Sequence, residues 1–297
     1  MAPNPILKEK QAGMIAQNQS YTRPMIIIGM LFFIFGSAAC SEKTVSNGSD
    51  NASRTVGKNL RVMTYNIHHA NPPTKAKTGE IDLDAIANVI KNEDPDLVAL
   101  QEVVVNTVRS NKVNQAEAIA QKVGMKAFFG RAIDHEGGYY GVAILSKYPI
   151  SETVITPLPE DADPKAEDRV ITTAKVSLPG GKNIRFGSTH LDVRSASNRD
   201  LQVQRINQLA AQETLPFIIA GDFNALPESS AIQLLDNSFT RTCTDNCEPT
   251  IPVINPARTI DFVAYSKTSP FTVISQKVIP ERYASDHLPV VVNLQWK

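Results

Sequence analysis

Acids, amides and imidazoles recur along this chain at the ends of short apolar runs. Asn66 closes Val62-Met63-Thr64-Tyr65-Asn66, Glu102 follows Leu100-Gln101, and His190 and Asp192 flank Leu191. Asp222 and Asn224 stand in Gly221-Asp222-Phe223-Asn224, Asp261 follows Thr259-Ile260, and Ser285-Asp286-His287 precedes the last apolar run. A single Asp or Asn after a strand is an ordinary turn former. A lone histidine beside an apolar run is an ordinary hydrogen-bonded structural residue. Repetition changes the balance, because an unpaired charge at the edge of a core is costly. If these groups meet, they make a pocket able to hold a dication beside a bound oxyanion and to move a proton there.

The elements that would have to position them can be read from periodicity. Strands are expected over Leu60–Ile67, Asp96–Val103, Val142–Ile150, Val170–Leu178, Asn183–Leu191, Pro216–Phe223, Thr259–Ser266, Val273–Ile279 and Leu288–Leu294. Helices are expected over Asp82–Lys91, Asn114–Val123 closed by Gly124, Asn198–Glu213 and Glu228–Leu235. Val170–Leu178 and Asn183–Leu191 are separated only by a turn at Pro179-Gly180-Gly181, which reads as a hairpin and disfavours a purely parallel sheet. The pattern predicts two mixed sheets packed face to face with helices outside.

Composition narrows the function classes. The chain has 297 residues, 42% of them hydrophobic, with Lys plus Arg and Asp plus Glu both at 30. That is enough apolar material for a core, with no repeat array or linker-dominated architecture. Zero formal charge removes the basic excess of a protein that grips duplex phosphates non-specifically. Met25–Ala39 is an uncharged run of 15 residues behind Lys8, Lys10 and Arg23. It is short for a membrane span, which needs about 20 residues, and reads as an export signal over residues 1–39. Ser37-Ala38-Ala39-Cys40 resembles a bacterial lipobox, with Ser37 where leucine is usual, so Cys40 is expected to carry lipid. An ordinary secretory signal and a short anchor helix are the alternatives. Residues 40–59 are polar and small and read as a tether, leaving 60–297 as one folded domain, expected to act as a monomer.

In order along that domain, six segments resemble the endonuclease/exonuclease/phosphatase superfamily, whose members include DNase I, abasic-site endonucleases, inositol phosphate phosphatases, neutral sphingomyelinases and deadenylases. They are Thr64-Tyr65-Asn66-Ile67, Asp96 to Glu102, Tyr140 to Ser146, Thr189-His190-Leu191, Gly221-Asp222-Phe223-Asn224 and Ser285-Asp286-His287. The resemblance implies a four-layer α/β sandwich that hydrolyses a phosphoester with a divalent cation, Mg²⁺ with Mn²⁺ as a substitute. Such a cation takes oxygen ligands and keeps several waters, so few protein carboxylates suffice. By that resemblance Glu102 is the principal metal ligand, with Asn66 and Asp286 helping to place the ion or its waters. Asp222 orients and activates water, Asn224 holds phosphate, and His287 stabilises the transition state or acts as an acid, with Asp261 accepting a hydrogen bond from its ring. His190 is expected as a phosphate contact or leaving-group acid. The substrate is left open among lipid headgroups, sugar phosphates, nucleotides and nucleic acid. A secreted nuclease and a non-catalytic surface binding protein are the competing readings.

Several positions carry less. Arg169 is either a bidentate phosphate clamp or a solvated strand-start arginine. Asp192 is a partner for His190 or a turn residue. His68 and His69 are read as a solvated loop. Many relatives have Asn after Tyr140-Gly141, where this chain has Val142, so one phosphate contact is expected to be missing. Behind an export signal, Cys243 and Cys247 are expected to form a disulfide rather than a zinc site.

Overall fold

The computed structural model describes residues 58–163 and 165–297, so the expected signal segment, Cys40 and nearly all of the tether lie outside the described residues. Lys58 and Asn59, at the end of the expected tether, belong to the folded body. Asn59 already opens the first strand opposite Gln295, and Lys58 O accepts the Trp296 N–H at 2.8 Å.

In the first half the strands are β1 (Asn59–Asn66), β2 (Leu97–Val105), β3 (Lys126–His135) and β4 (Gly138–Ser146), with helices α1 (Leu83–Glu93) and α2 (Gln115–Val123). There follow β5 (Ile150–Leu158), β6 (Arg169–Ser177), β7 (Asn183–His190), α3 (Ala196–Gln212), β8 (Phe217–Asp222), α4 (Ser230–Ser238), β9 (Phe239–Arg241) and β10 (Asp261–Ser266). The chain returns to the first half with β11 (Phe271–Val278) and β12 (Val290–Trp296). The described strands form two six-stranded sheets, ordered β11-β12-β1-β2-β4-β3 and β5-β6-β7-β8-β10-β9. Each sheet has one parallel pair at its centre, β1 with β2 and β7 with β8, and is antiparallel elsewhere. In each case one helix lies in the crossover, α1 or α3, as a parallel connection requires.

Period-two alternation makes the four layers. Met63, Tyr65, Val98 and Leu100 face α1 and α2, where they pack with Ile86, Ile90, Ala116 and Ile119. Val62, Leu97, Ala99 and Ile144 face the other way and meet Phe186, Ile218, Ala220 and Val263 of the second sheet. The outer face of that sheet packs Ile171, Phe217 and Ile219 against Val203, Ile206, Ile232 and Leu235 of α3 and α4. The helices start where side chains can take the first free N–H groups: Asp82 accepts from Ala85 N at 2.9 Å and Asn114 from Glu117 N at 3.3 Å. Gly124 closes α2 in the left-handed conformation at φ 69°, as expected.

Most expected elements occur with ends moved by a few residues, and the Pro179–Gly181 turn joins antiparallel β6 and β7. Three strands had no expectation. β3 is half-buried and interrupted by Gly130, β5 is a largely exposed edge strand, and β9 has three residues. None presents a clean alternation. The expected Val142–Ile150 strand divides, because the chain turns after Ser146 and crosses to the other sheet as β5.

Candidate active site

The rows of side chains between the sheets change from apolar to polar toward one end. On β1 the order is Val62, Thr64, Asn66; on β7 it is Phe186, Ser188, His190; on β8 it is Ile218, Ala220, Asp222; and on β10 Val263 is followed outward by Asp261. Register then does the positioning. Asp222 pairs with His190 on one side and with Asp261 on the other, so three titratable groups stand abreast on adjacent strands. Gly221 permits this closeness, since a Cβ there would lie 2.2 Å from Thr189 O. Beneath them, Thr64 Oγ1 donates to Gln101 Oε1 at 3.2 Å, and Gln101 Nε2 donates to Ser188 Oγ at 3.3 Å, a buried polar seam joining the two sheets.

Glu102 is reached by a different device. The β2–β4 register slips between Leu100 and Val103, and Glu102 itself is left-handed at φ 56°. Such a bulge re-aims one side chain at the rim of a sheet. Here it turns Glu102 into the gap, where Oε1 accepts Asn66 Nδ2 at 3.1 Å. The same Nδ2 donates to Asp222 Oδ2 at 3.1 Å, so one amide bridges the two sheets. The segment before β12 is stitched to β1 by Ser285 Oγ donating to Asn66 O at 2.7 Å. That contact delivers His287, whose Nδ1 stands 2.9 Å from Asp261 Oδ2 and whose Nε2 stands 3.7 Å from Asp222 Oδ2. His190 Nε2 is 3.5 Å from the same oxygen.

The electrostatics separate these groups. Burial, reinforced by the Asp261 charge, pushes Asp222 up to about 7, although His287, Asn224 N and Asn66 pull the other way. Burial alone would lower His287, but its hydrogen bond and charge pairing with Asp261, with Asp222 and Asp286 adding, raise it to about 10. Without a metal its ring is therefore an imidazolium at neutral pH, held between Asp261 and Asp222, whose ligand atoms and its own all lie within 4.8 Å of one another. Burial, with Arg169 and His287 adding, drives His190 well below its ordinary value, so it is neutral.

A cleft of about 360 Å³ opens over this floor, lined among others by Glu102, Tyr140, Arg169, His190, Asp222, Asn224, Arg258 and His287. Three buried polar atoms around it have no hydrogen-bond partner: Arg169 Nε, His190 Nδ1 and Asp261 Oδ1. Buried groups of this kind call for a ligand or water. The residues also fit a hard cation. Glu102 has no Lys or Arg ion pair among the described residues, and Asp286 keeps a side chain 42% exposed at the mouth. Of the expected ligands, Glu102 and Asp286 thus offer open carboxylates. Asn66 uses one lone pair of Oδ1 on His68 N at 3.0 Å, and its Nδ2 holds Glu102 against Asp222.

A family model described as "Endonuclease/Exonuclease/phosphatase family" matches residues 63–287. The chain belongs to this family. Its members are hydrolases that act on phosphate esters. The YbhP protein of Escherichia coli K12 is 26% identical over 252 residues, 79% of this chain and 96% of that protein. An inositol phosphosphingolipids phospholipase C of Schizosaccharomyces pombe is 25% identical over 187 residues, 57% of this chain and 42% of that enzyme. Among solved structures, an endonuclease/exonuclease/phosphatase from Beutenbergia cavernae superposes with a TM-score of 0.67 at 27% identity, covering 80% of this chain and 72% of that one.

Within this member of the endonuclease/exonuclease/phosphatase family, the remaining expectations divide. Arg169 is 6% exposed, paired with Glu167 Oε1 at 3.0 Å, and lines the cleft, so it is no solvated arginine. Asn224 also lines the cleft, with Nδ2 donating to Leu191 O at 3.0 Å and a second amide hydrogen still to donate. Asp192 is a turn residue: its oxygens accept Arg194 N, Ser195 N and Asn198 Nδ2, just before the Ser195 cap of α3. Val142 is 2% exposed within β4, and the cleft wall at that strand is Tyr140 instead. His68 and His69 are not a solvated loop, since their side chains are 28% and 16% exposed and lie 4.0 Å from Asp286 and Glu102 respectively. Cys243 and Cys247 are bonded as expected. The sequence reading gave no role to Tyr140, Arg258 or Val193 in the cleft. Tyr140 sits in a quoted motif, but Arg258 and Val193 carry no local signal.

Proposed function

We propose that this chain is an exported, Mg²⁺-dependent phosphoesterase that cleaves its ester with an activated water, Mn²⁺ substituting for Mg²⁺. The observation that carries the reading is the single amide of Asn66 holding Glu102 and Asp222 at 3.1 Å each, which sets a metal-seeking carboxylate beside a proton-accepting one. Asp222 takes the proton of a water whose oxygen attacks phosphorus, and the bond from phosphorus to the leaving group breaks. A base whose pKa lies near neutrality is well matched to that step. The charged His287 ring, fixed by Asp261, donates from Nε2 to a non-bridging oxygen as negative charge builds there. Neutral His190 donates a hydrogen bond to the leaving oxygen, which takes its proton from solvent as it departs, and Arg169 and Asn224 hold the phosphate. A cation held by Glu102 and Asp286 supplies neutralisation of phosphate charge when bound.

The substrate side of the cleft favours a compact ester over a long polyanion. Arg258 is one exposed cation at the wall, and Val193, 60% exposed, is an apolar neighbour. Zero formal charge points the same way. We read the substrate as a lipid headgroup or sugar phosphate met outside the cytoplasm, with the domain acting as a monomer tethered by a lipidated Cys40. The phospholipase name of the fission-yeast relative agrees with that choice. The test is hydrolysis of bis-p-nitrophenyl phosphate, p-nitrophenyl phosphate, sphingomyelin, inositol phosphates, plasmid DNA and RNA with Mg²⁺, Mn²⁺ or EDTA, using Asp222→Asn as the control. Metal-dependent release from the small or lipid esters supports the reading. Preferential nicking of DNA replaces it with a nuclease, and inactivity with every metal replaces it with a binding protein.

A further inference from the structure

We propose that His68 and His69, with the second oxygen of Glu102, form a separate site for a divalent transition-metal ion, so that Glu102 is a ligand shared between two ions. One ring nitrogen of each histidine and one Glu102 oxygen all lie within 4.8 Å of one another. The two oxygens of Glu102 face different ways: Oε1 takes the Asn66 amide, while Oε2 turns toward His69 Nδ1 at 4.0 Å. Ligands of one ion at about 2.0–2.2 Å from it stand roughly 3–3.5 Å apart, so binding asks for a contraction of about an ångström.

The backbone is built to present this pair. His68, His69 and Ala70 are all left-handed, at φ 45°, 44° and 59°. Consecutive non-glycine residues in that region cost about 1–2 kcal/mol each and persist only where neighbours over-determine them. Those neighbours are present: buried Gln115 donates Nε2 to His69 O at 2.7 Å, Asp82 N donates to Ala70 O at 2.7 Å, and His68 N donates to Asn66 Oδ1 at 3.0 Å. His68 Nδ1 lies 3.1 Å from Asn71 O, a contact that requires Nδ1 to carry the hydrogen and leaves Nε2 with a free lone pair. Metal-binding histidines are oriented by just such a bond to a backbone carbonyl.

Donor chemistry selects the ion. Imidazole suits Zn²⁺, Ni²⁺, Cu²⁺ and Fe²⁺, for which Co²⁺ is the spectroscopic probe, whereas Mg²⁺ and Mn²⁺ prefer carboxylate, carbonyl and water oxygens. The open oxygens of Glu102 and Asp286 therefore keep the harder ion, and the histidine side takes the softer one. The inference rests on the metal-ligand role given to Glu102 above, but it is read by binding without substrate, so the failure of either is seen separately.

The full chain, stripped with EDTA and dialysed, is titrated with Co²⁺ by calorimetry and visible absorption, with and without saturating Mg²⁺. We expect a Co²⁺ equivalent with a nitrogen-ligand absorption band that Mg²⁺ does not displace. In His68→Ala/His69→Ala that equivalent should weaken at least about 100-fold, while Mg²⁺ binding persists. His69→Gln, which keeps the volume, gives the same readout should the double variant not fold. Co²⁺ binding of unchanged stoichiometry and affinity in these variants, or complete displacement of Co²⁺ by Mg²⁺, overturns the proposal.

Discussion

The two sheets end at the site in opposite ways. The first sheet reaches it through irregular backbone, with a bulge at Glu102, the left-handed turn at His68–Ala70 and a half-exposed Asp286. The second reaches it through unbroken register, with His190, Asp222 and Asp261 abreast and each no more than 5% exposed. The contrast matches the chemistry each end is suited to. An ion must enter, exchange its waters and leave, which calls for carboxylates at the rim. The base of the second sheet, and the imidazolium of His287 that the segment before β12 docks against it, must keep shifted pKa values, which calls for burial and fixed partners.

The sharpest separation of the two ends comes from Asp222→Asn. We expect kcat to fall by about 10³–10⁴-fold, the scale of a lost general base, with the Mg²⁺ half-saturation concentration unchanged and thermal stability unchanged or raised. Burying this carboxylate is unfavourable, so removing its charge relieves the dry end. An equal rise in the Mg²⁺ requirement would show that Asp222 belongs to the metal end and would erase the division. Glu102→Gln is the counterpart. Activity should fall about 100-fold or more at low Mg²⁺ and recover partly as Mg²⁺ is raised, measured as a shift in half-saturation, because a metal ligand is weakened rather than a proton acceptor lost.

The dry end also has a pH signature. His287 is raised to about 10 from 6.5 and Asp222 to about 7 from 3.8, so the folded chain binds more protons than the unfolded one. Stability then falls as pH rises. The His287 contribution is full below about 6.5 and is lost as pH passes through about 10. The Asp222 penalty sets in above about 3.8 and is complete above about 7. EDTA-treated protein should melt at progressively lower temperature from pH 6 to pH 10. Asp261→Asn should flatten that slope and cost about 100-fold in kcat at pH 7. A slope left intact by the substitution would mean that Asp261 does not set the charge of His287.

The same asymmetry explains what was legible in the sequence. The dry end could be read because its strands are short apolar runs that end on a titratable residue, as in Ile218-Ile219-Ala220-Gly221-Asp222. Glu102 could be located by its motif, but not the bulge that aims it, since Leu100-Gln101-Glu102-Val103 continues the apolar run without a break. His68 and His69 were read as solvent-facing because three left-handed residues in succession leave no mark in composition, and the Gln115 and Asp82 contacts that hold them come from distant segments. Arg258 and Val193 are likewise placed in the cleft by the packing of separate loops, which no local pattern encodes.

The smallest expected effect tests whether the ends are coupled at all. Gln101 lies within the β2 bulge, accepts from Thr64 and donates to Ser188, so it is the part of the first sheet that touches the second directly below the site. Gln101→Leu keeps a comparable volume and leaves two hydroxyls to find other partners. Ser188 already donates to Leu100 O at 3.2 Å. The loss of stability should therefore be about 1–2 kcal/mol, read by denaturant unfolding. If this seam holds the bulge, and through it the aim of Glu102, the Mg²⁺ half-saturation should also rise several-fold while the pH dependence set by Asp261 and His287 stays as it was. A change in stability with no change in Mg²⁺ requirement would mean that Asn66 alone couples the wet end to the dry one.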